Sequence, residues 1–275
     1  MAAKVCLITG ANSGIGKVTA RELARMGATV VMVCRNPDAG GAARAYIQRE
    51  TGSKDLDLFI ADLSSQKAIR KLVQDVRSKY AHLHVLINNA GILCRKRTIT
   101  VDGLETQFAV NLLAPFMLIQ SLHDVLEASA PARVINVTSK MHRQGKIDFD
   151  NLQGEKKYDM FKAYNQAKLG LIMVTYEWAR RFQGTGVTAN CLHPGVVATG
   201  IGREFPGLVR FFWNLFFLSP EKGAETSIYL ASSPEVEGIT GRYFQVRKEM
   251  KSSQRSYDRV TTERLWAVCE DLLRA

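Results

Sequence analysis

Apolar residues fall along the chain in two alternating rhythms. Short runs, several rich in β-branched residues and apolar on both faces, occupy Lys4–Thr9, Thr29–Cys34, Leu56–Ile60, Leu83–Asn88, Ala132–Thr138, Val187–Leu192 and, more weakly, Arg242–Gln245. Runs of that kind predict parallel strands buried on both sides. Between them, helical-period segments span Gly14–Met26, Pro37–Thr51, Ser64–Tyr80, Asp102–Ser129, Tyr158–Gln183 and Pro220–Ala231. Several open on start signals such as Asn36-Pro37 and Ser219-Pro220-Glu221, which supply a cap or a pre-set first helical φ. Strand and helix alternating throughout predict an α/β fold: one doubly wound parallel sheet of about seven strands with helices on both faces. No Pro/Gly/Ser-rich linker or repeat interrupts the pattern, so residues 1–275 read as a single domain. Two segments break the rhythm and read as insertions covering a site: a polar one at about 140–157 and an aromatic-rich one at about 200–218.

Composition narrows the class. With 46% hydrophobic and 23% charged residues the chain is ordinarily globular, which excludes disordered and low-complexity classes. Five widely spaced cysteines, without a C-x-x-C, argue against a disulfide framework or a thiolate metal site, and no metal is expected. The apolar run near the N-terminus is too short for a signal-peptide core, and no stretch reaches ~18 uninterrupted apolar residues, so a cytoplasmic protein is expected. The net charge of +11 invites nucleic acid, an anionic membrane surface or a phosphate-bearing ligand as partner. No recognition module or aromatic–basic motif supports nucleic acid.

A phosphate-bearing ligand has a place to go. After the first run comes Thr9-Gly10-Ala11-Asn12-Ser13-Gly14-Ile15-Gly16, then a helix. Glycines there let backbone N–H groups approach a pyrophosphate at the helix N-terminus. A Walker A loop is excluded by spacing, and Val18 stands where a magnesium-binding hydroxyl belongs. The second strand ends Val33-Cys34-Arg35-Asn36, with a guanidinium where an NAD site places a carboxylate. Arg35 suits a 2′-phosphate, so NADP(H) is expected over NAD(H).

Candidate chemistry follows downstream. Tyr164 and Lys168 share one helix face at i, i+4 spacing. An ammonium beside a phenol is expected to lower its pKa toward neutrality, which suits it to exchange a proton with a carbonyl or alcohol oxygen. Thr138-Ser139 ends the fifth run, where open α/β sheets hold ligands; a hydroxyl there can steady a developing oxyanion. Asn88-Asn89-Ala90-Gly91 ends the fourth run, and Asn111 lies in an apolar helical segment, where its amide needs water or backbone as partner.

Taken together these motifs resemble the short-chain dehydrogenases/reductases over nearly the whole chain. The resemblance rests on the Gly10–Gly16 loop, Asp62-Leu63, Asn88–Gly91, Asn111, Ser139, Tyr164-x-x-x-Lys168 and Pro194-Gly195-x-x-x-Thr199, all in the family's order. It implies a Rossmann-type sheet of order 3-2-1-4-5-6-7, Tyr164 as acid/base, Ser139 orienting the carbonyl, Lys168 on the nicotinamide ribose and Asn111 holding a water. It also implies Asp62 and Leu63 beside the adenine, with Asn89, Ala90, Gly91, Pro194, Gly195, Val197 and Thr199 around the rest of the cofactor. The long gap from Ser139 to Tyr164, the sequence at Cys34–Asn36 and that at Asn151–Tyr158 are similar to the retinol dehydrogenase and WW-domain oxidoreductase branch, which implies lipophilic carbonyl or alcohol substrates. The family's habit of pairing the helix that carries the tyrosine implies a homodimer.

Substrate contacts are expected from Met141 and His142 after the catalytic strand, and from Phe205, Phe211 and Phe212 in the aromatic segment. That segment reads as an apolar lid, a packing surface or, because Arg203 and Arg210 border it, a peripheral membrane contact. The expected function is NADP(H)-dependent hydride transfer to or from a lipophilic carbonyl. The alternative is a non-enzymatic NADP(H) sensor or scaffold.

Overall fold

The computed structural model describes residues 1–195 and 219–274. In chain order the elements are β1 Val5–Thr9, α1 Gly14–Arg25, β2 Thr29–Cys34, α2 Pro37–Thr51, β3 Leu56–Ile60, α3 Gln66–Lys79, β4 Val85–Asn88, α4 Thr106–Phe108, α5 Ala114–Ser121, α6 His123–Ala128, β5 Ala132–Val137, α7 Met160–Arg181, β6 Val187–His193, α8 Pro220–Ser232, β7 Tyr243–Gln245, β8 Lys248–Met250 and α9 Arg259–Arg274. The strands form one sheet of order β3-β2-β1-β4-β5-β6-β7-β8, parallel except for the antiparallel β7–β8 pair.

The strands bury both faces because alternate residues serve different cores. Cys6, Ile8, Val30, Met32, Ile135 and Leu192 pack with Leu23 and Ala24 of α1, Ile47 of α2 and Leu230 of α8. Leu7, Val31, Leu86, Val134 and Ala189 pack with Leu72 and Val76 of α3, Phe116 of α5, Trp178 of α7 and Leu265 of α9. Helix starts follow local chemistry. The Asn36, Ser65, Asp159 and Ser219 side chains accept from the backbone N–H three residues on, satisfying donors the first turn leaves open.

Four expectations are corrected. The predicted helix Asp102–Ser129 is broken: Ala109–Leu113 form a π-helical turn between α4 and α5, and α5 ends at Ser121. Pro115, which has no N–H to donate, sits at the start of α5 where that loss is tolerated. The strand expected from Leu83 begins at Val85. An eighth strand, β8, and a C-terminal helix, α9, follow the last element that the sequence pattern predicts.

A core polar chain fixes β4, β5 and α7 against one another. Asn88 Nδ2 donates to Asn136 Oδ1, and Asn136 Nδ2 to Thr175 Oγ1, each at 2.8 Å. The sequon at Asn136 is therefore fully buried.

Candidate active site

The glycine loop lies at the carboxyl ends of β1 and β4. Gly10 and Gly14 take φ of +66° and +53°, conformations that other residues adopt at a cost. Gly16 is required for a different reason: a Cβ there would stand 2.4 Å from the Gly10 oxygen and 2.5 Å from Asn89 Nδ2. Thr9 stitches the two strand ends together. Its Oγ1 accepts from the N–H groups of Asn89 and Ala90 at 3.0 Å, and its carbonyl accepts from Asn89 Nδ2 at 2.8 Å. The sequence reading missed Thr9, although a hydroxyl residue as the last of a buried strand is a recognisable signal.

The N-terminus of α1 carries no acidic residue in its first turn, so its open N–H groups face the loop without a competing anion. Asn12, Ser13 and Gly14 are half-buried there, while Ile15 is buried and packs toward α8. Arg35 is exposed at the end of β2, and among the described residues no carboxylate pairs with it. Its neighbour Asn36 is committed to capping α2 through the Ala39 N–H at 2.8 Å. One oxygen of Asp62 accepts from the Ser64 backbone and hydroxyl, holding the turn in which Leu63 is half-buried. A cradle that admits no Cβ, an anion-attracting helix end and an unpaired guanidinium fit a phosphorylated dinucleotide.

Four predicted residues converge beside this cradle. Tyr164 and Lys168 lie near the start of α7, 5% and 3% exposed. Lys168 Nζ donates to the Val137 carbonyl at 3.0 Å and stands 5.8 Å from the Tyr164 ring centre. The Ser139 hydroxyl lies near enough to the Tyr164 phenol to favour its ionised form. Asn111 sits within the π turn, as such irregular turns often mark functional sites. Its amide is answered by backbone: Oδ1 accepts from Ile92 N–H and Nδ2 donates to Ile92 C=O, both at 2.9 Å. Gly91 fits between these groups, since a Cβ there would lie 3.1 Å from Asn111 Oδ1 and 3.3 Å from Lys168 Nζ. Thr138 is spoken for, because its hydroxyl donates to the Leu192 carbonyl at 2.9 Å. That leaves Ser139 as the hydroxyl facing Tyr164.

Burial sets the electrostatics. It pushes Tyr164 up to about 12, against the opposing influence of Ser139, and pulls Lys168 down to about 8. The expected lowering of the phenol by its lysine is not seen in the chain by itself: desolvation dominates, and the group that opposes it is Ser139. Burial, aided by Lys140 and His142, lowers His193, which precedes Pro194-Gly195, to about 4.

The substrate expectations divide. Met141 is half-buried next to Ser139. His142 is corrected: it is fully buried, and both ring nitrogens are engaged by backbone, so it presents no surface to a substrate. Val197, Thr199, Phe205, Phe211 and Phe212 lie outside the described residues. A groove of about 720 Å³ at the opposite, amino edge of β5 and β6, bordered by Met173, Phe182, Val187 and Tyr257, is remote from Tyr164. No described helix is long and apolar enough to cross a membrane.

The sheet order and this cluster define a dinucleotide-binding oxidoreductase scaffold, and the comparisons agree. A family model described as short chain dehydrogenase matches residues 4–206, and the chain belongs to that family. Over 98% of its length it is 43% identical to human retinol dehydrogenase 14 and 44% identical to mouse retinol dehydrogenase 12, covering 86% of each. Among solved structures, a Mycobacterium paratuberculosis protein matches with a TM-score of 0.81 at 30% identity, covering 100% of this chain and 94% of that one. The RhlG/NADP active-site complex of Pseudomonas aeruginosa matches with a TM-score of 0.72 at 26% identity, covering 89% and 94%. The expected family, fold and dehydrogenase role are borne out.

Proposed function

We propose that the chain is an NADP(H)-dependent oxidoreductase acting on a lipophilic ketone or aldehyde, or on the corresponding alcohol. The observation that carries this is the cluster of Ser139, Tyr164, Lys168 and Asn111 beside the glycine cradle. The cofactor, when bound, supplies or accepts the hydride. Tyr164 delivers a proton to the substrate oxygen in reduction and removes it in oxidation. The Ser139 hydroxyl donates to that oxygen and steadies its developing charge. Lys168 offers an ammonium to the cofactor ribose and to the phenolate left when Tyr164 gives up its proton. Asn111 keeps the Gly91–Ile92 backbone in place under the cofactor. The glycine loop and α1 hold the pyrophosphate, Asp62 and Leu63 border the adenine, and Arg35 holds the 2′-phosphate.

The retinol dehydrogenases among the relatives and the NADP in the Pseudomonas complex support the substrate class and the cofactor. The same reading keeps the chain cytoplasmic, meeting membranes only peripherally. The test is nicotinamide oxidation with retinaldehyde and medium-chain aldehydes, NADPH against NADH. Turnover is expected with NADPH, and Tyr164→Phe is expected to abolish it while leaving NADPH binding intact. Retained turnover in that variant overturns the mechanism. Binding without turnover across the panel favours the sensor.

A further inference from the structure

We propose that His142 is a positioning residue for the Ser139 hydroxyl, and that through it the segment from Lys251 to Tyr257 holds the active-site loop in register. The proposal rests on the assignment of Ser139 and Tyr164 above. Residues Lys140–Gln144 form a single 3₁₀ turn for which Ser139 is the cap. The Ser139 carbonyl accepts from both the His142 N–H at 3.1 Å and His142 Nδ1 at 2.7 Å. The other ring nitrogen, Nε2, accepts from the Ser253 N–H at 3.0 Å.

A backbone N–H can only donate, so Nε2 must carry the lone pair and Nδ1 the proton. The ring therefore holds one neutral tautomer, packed edge-on against Tyr243 at 5.1 Å between ring centres. Burial also disfavours its charged form. Ser139 is thus gripped at its peptide oxygen by a group anchored on a distant segment. Fixing that peptide plane fixes the direction in which the side chain leaves the backbone.

The anchor is built from several bonds. Arg143 Nη2 donates to the Lys251 carbonyl at 2.7 Å, and Arg255 Nη1 donates to the Gly145 carbonyl at 2.9 Å. On the far side Tyr176 of α7 shares a hydrogen bond with Ser252 at 2.8 Å, and Ser252 with Ser256 at 2.6 Å. The turn is also pressed against α7 at the catalytic end, because a Cβ on Gly145 would lie 2.5 Å from the Asn165 carbonyl oxygen. The strap consequently spans the two elements that carry Ser139 and Tyr164, and touches neither hydroxyl. Its geometry matches a device that sets the distance between them.

The experiment compares His142→Ala, His142→Asn, Ser253→Pro and Ser139→Ala, together with the double variant of His142→Ala and Ser139→Ala, in the full chain. Tyr164→Phe is measured alongside. Ser253 already has φ of −69°, which proline adopts, so proline there removes the anchoring N–H, and its ring carbon displaces the imidazole from this anchor. A small misplacement of a reacting group is costly, so kcat should fall roughly tenfold or more in His142→Ala and Ser253→Pro, with the KM for NADPH unchanged. Asparagine keeps a donor toward the Ser139 carbonyl and should restore most of the loss. In the Ser139→Ala background, His142→Ala should have no further effect, because a residue acting through a hydroxyl has nothing to position once it is gone. A wild-type kcat in Ser253→Pro and His142→Ala overturns the proposal, as does a full-sized loss that persists without the Ser139 hydroxyl. If Tyr164→Phe retains turnover, the underlying assignment fails and the positioning role falls with it. Loss in Tyr164→Phe alone, with the His142 and Ser253 variants unaffected, overturns only the positioning role.

Discussion

The Lys168 ammonium donates to the carbonyl of Val137, two residues before Ser139, inside a region from which water is almost excluded. That bond fastens α7 to the end of β5, but the charge it carries is costly to bury.

Lys168 should therefore oppose stability. Its pKa falls from 10.5 to about 8 on folding, so the unfolded chain binds more protons between those values. Stability should rise with pH across that window, and the full penalty, ~3 kcal/mol, applies at pH 7. Replacing Lys168 with Met removes it and leaves the Val137 carbonyl unanswered, at about 1–2 kcal/mol. A net gain of about 1–2 kcal/mol, or a Tm higher by roughly 2–6 °C at pH 7 in cofactor-free protein, is expected along with lost turnover. A lower Tm would count against the buried-ammonium account.

Reaction direction should respond to pH asymmetrically. Tyr164, pushed up to about 12 by burial, holds its proton through the neutral range. Carbonyl reduction uses that proton and should stay level from pH 6 to 8. Alcohol oxidation needs the proton gone and should climb about tenfold per pH unit over the same range, flattening where Lys168 begins to lose its charge near 8. Steady-state rates in both directions decide this, and equal slopes would refute it.

Cofactor preference should turn on Arg35. Arg35→Asp replaces an unpaired exposed guanidinium with an acceptor for a ribose hydroxyl. The ratio of kcat/KM for NADPH over NADH should drop by about 100-fold. An unchanged ratio would show that other groups read the 2′-phosphate.

The tight turn between β7 and β8 offers a stability gain. Val246 and Arg247 both lie in the left-handed region, at φ of 50° and 59°, as a two-residue hairpin with the sheet's twist demands. Asparagine and glycine suit those positions, and a β-branched residue does not. Val246→Asn combined with Arg247→Gly should raise stability by about 1–2 kcal/mol, read as a higher denaturation midpoint, while the Arg247 N–H bond to Thr226 is kept.

Helix α7 is buried from Tyr164 to Thr175 by this chain's own elements, and Trp266 of α9 packs 4.7 Å from Trp178 and from Phe116 between ring centres. The family's pairing of this helix would have to displace α9. Light scattering should accordingly give a monomer mass, and a dimer mass would show that the chain pairs through another surface or that α9 gives way.

Much of the fold was legible because buried parallel strands and amphipathic helices write distinct periods, as at Thr29–Cys34 and Gln66–Lys79. The break around Asn111 was not, because a π turn changes hydrogen bonding without changing composition. Helix α9 was readable: Asp258 accepts from the Thr261 N–H at its start, and Leu265, Trp266 and Cys269 are buried along one face. The surrounding positive charge masked it. Of that charge, Arg242 pairs with Glu249, while Arg255 turns inward to the Gly145 carbonyl. In the candidate site, residue type and spacing marked Ser139, Tyr164 and Lys168. The task of His142 depends on a contact with Ser253, 111 residues away in the chain, that no local pattern encodes.

Strand β8 has one more consequence. Running antiparallel outside β7, its three residues Lys248, Glu249 and Met250 are all exposed. A neighbouring molecule arriving edge-on meets a ladder too short and too charged to extend. At this edge the sheet is closed by its own chain, which disfavours strand-to-strand growth there.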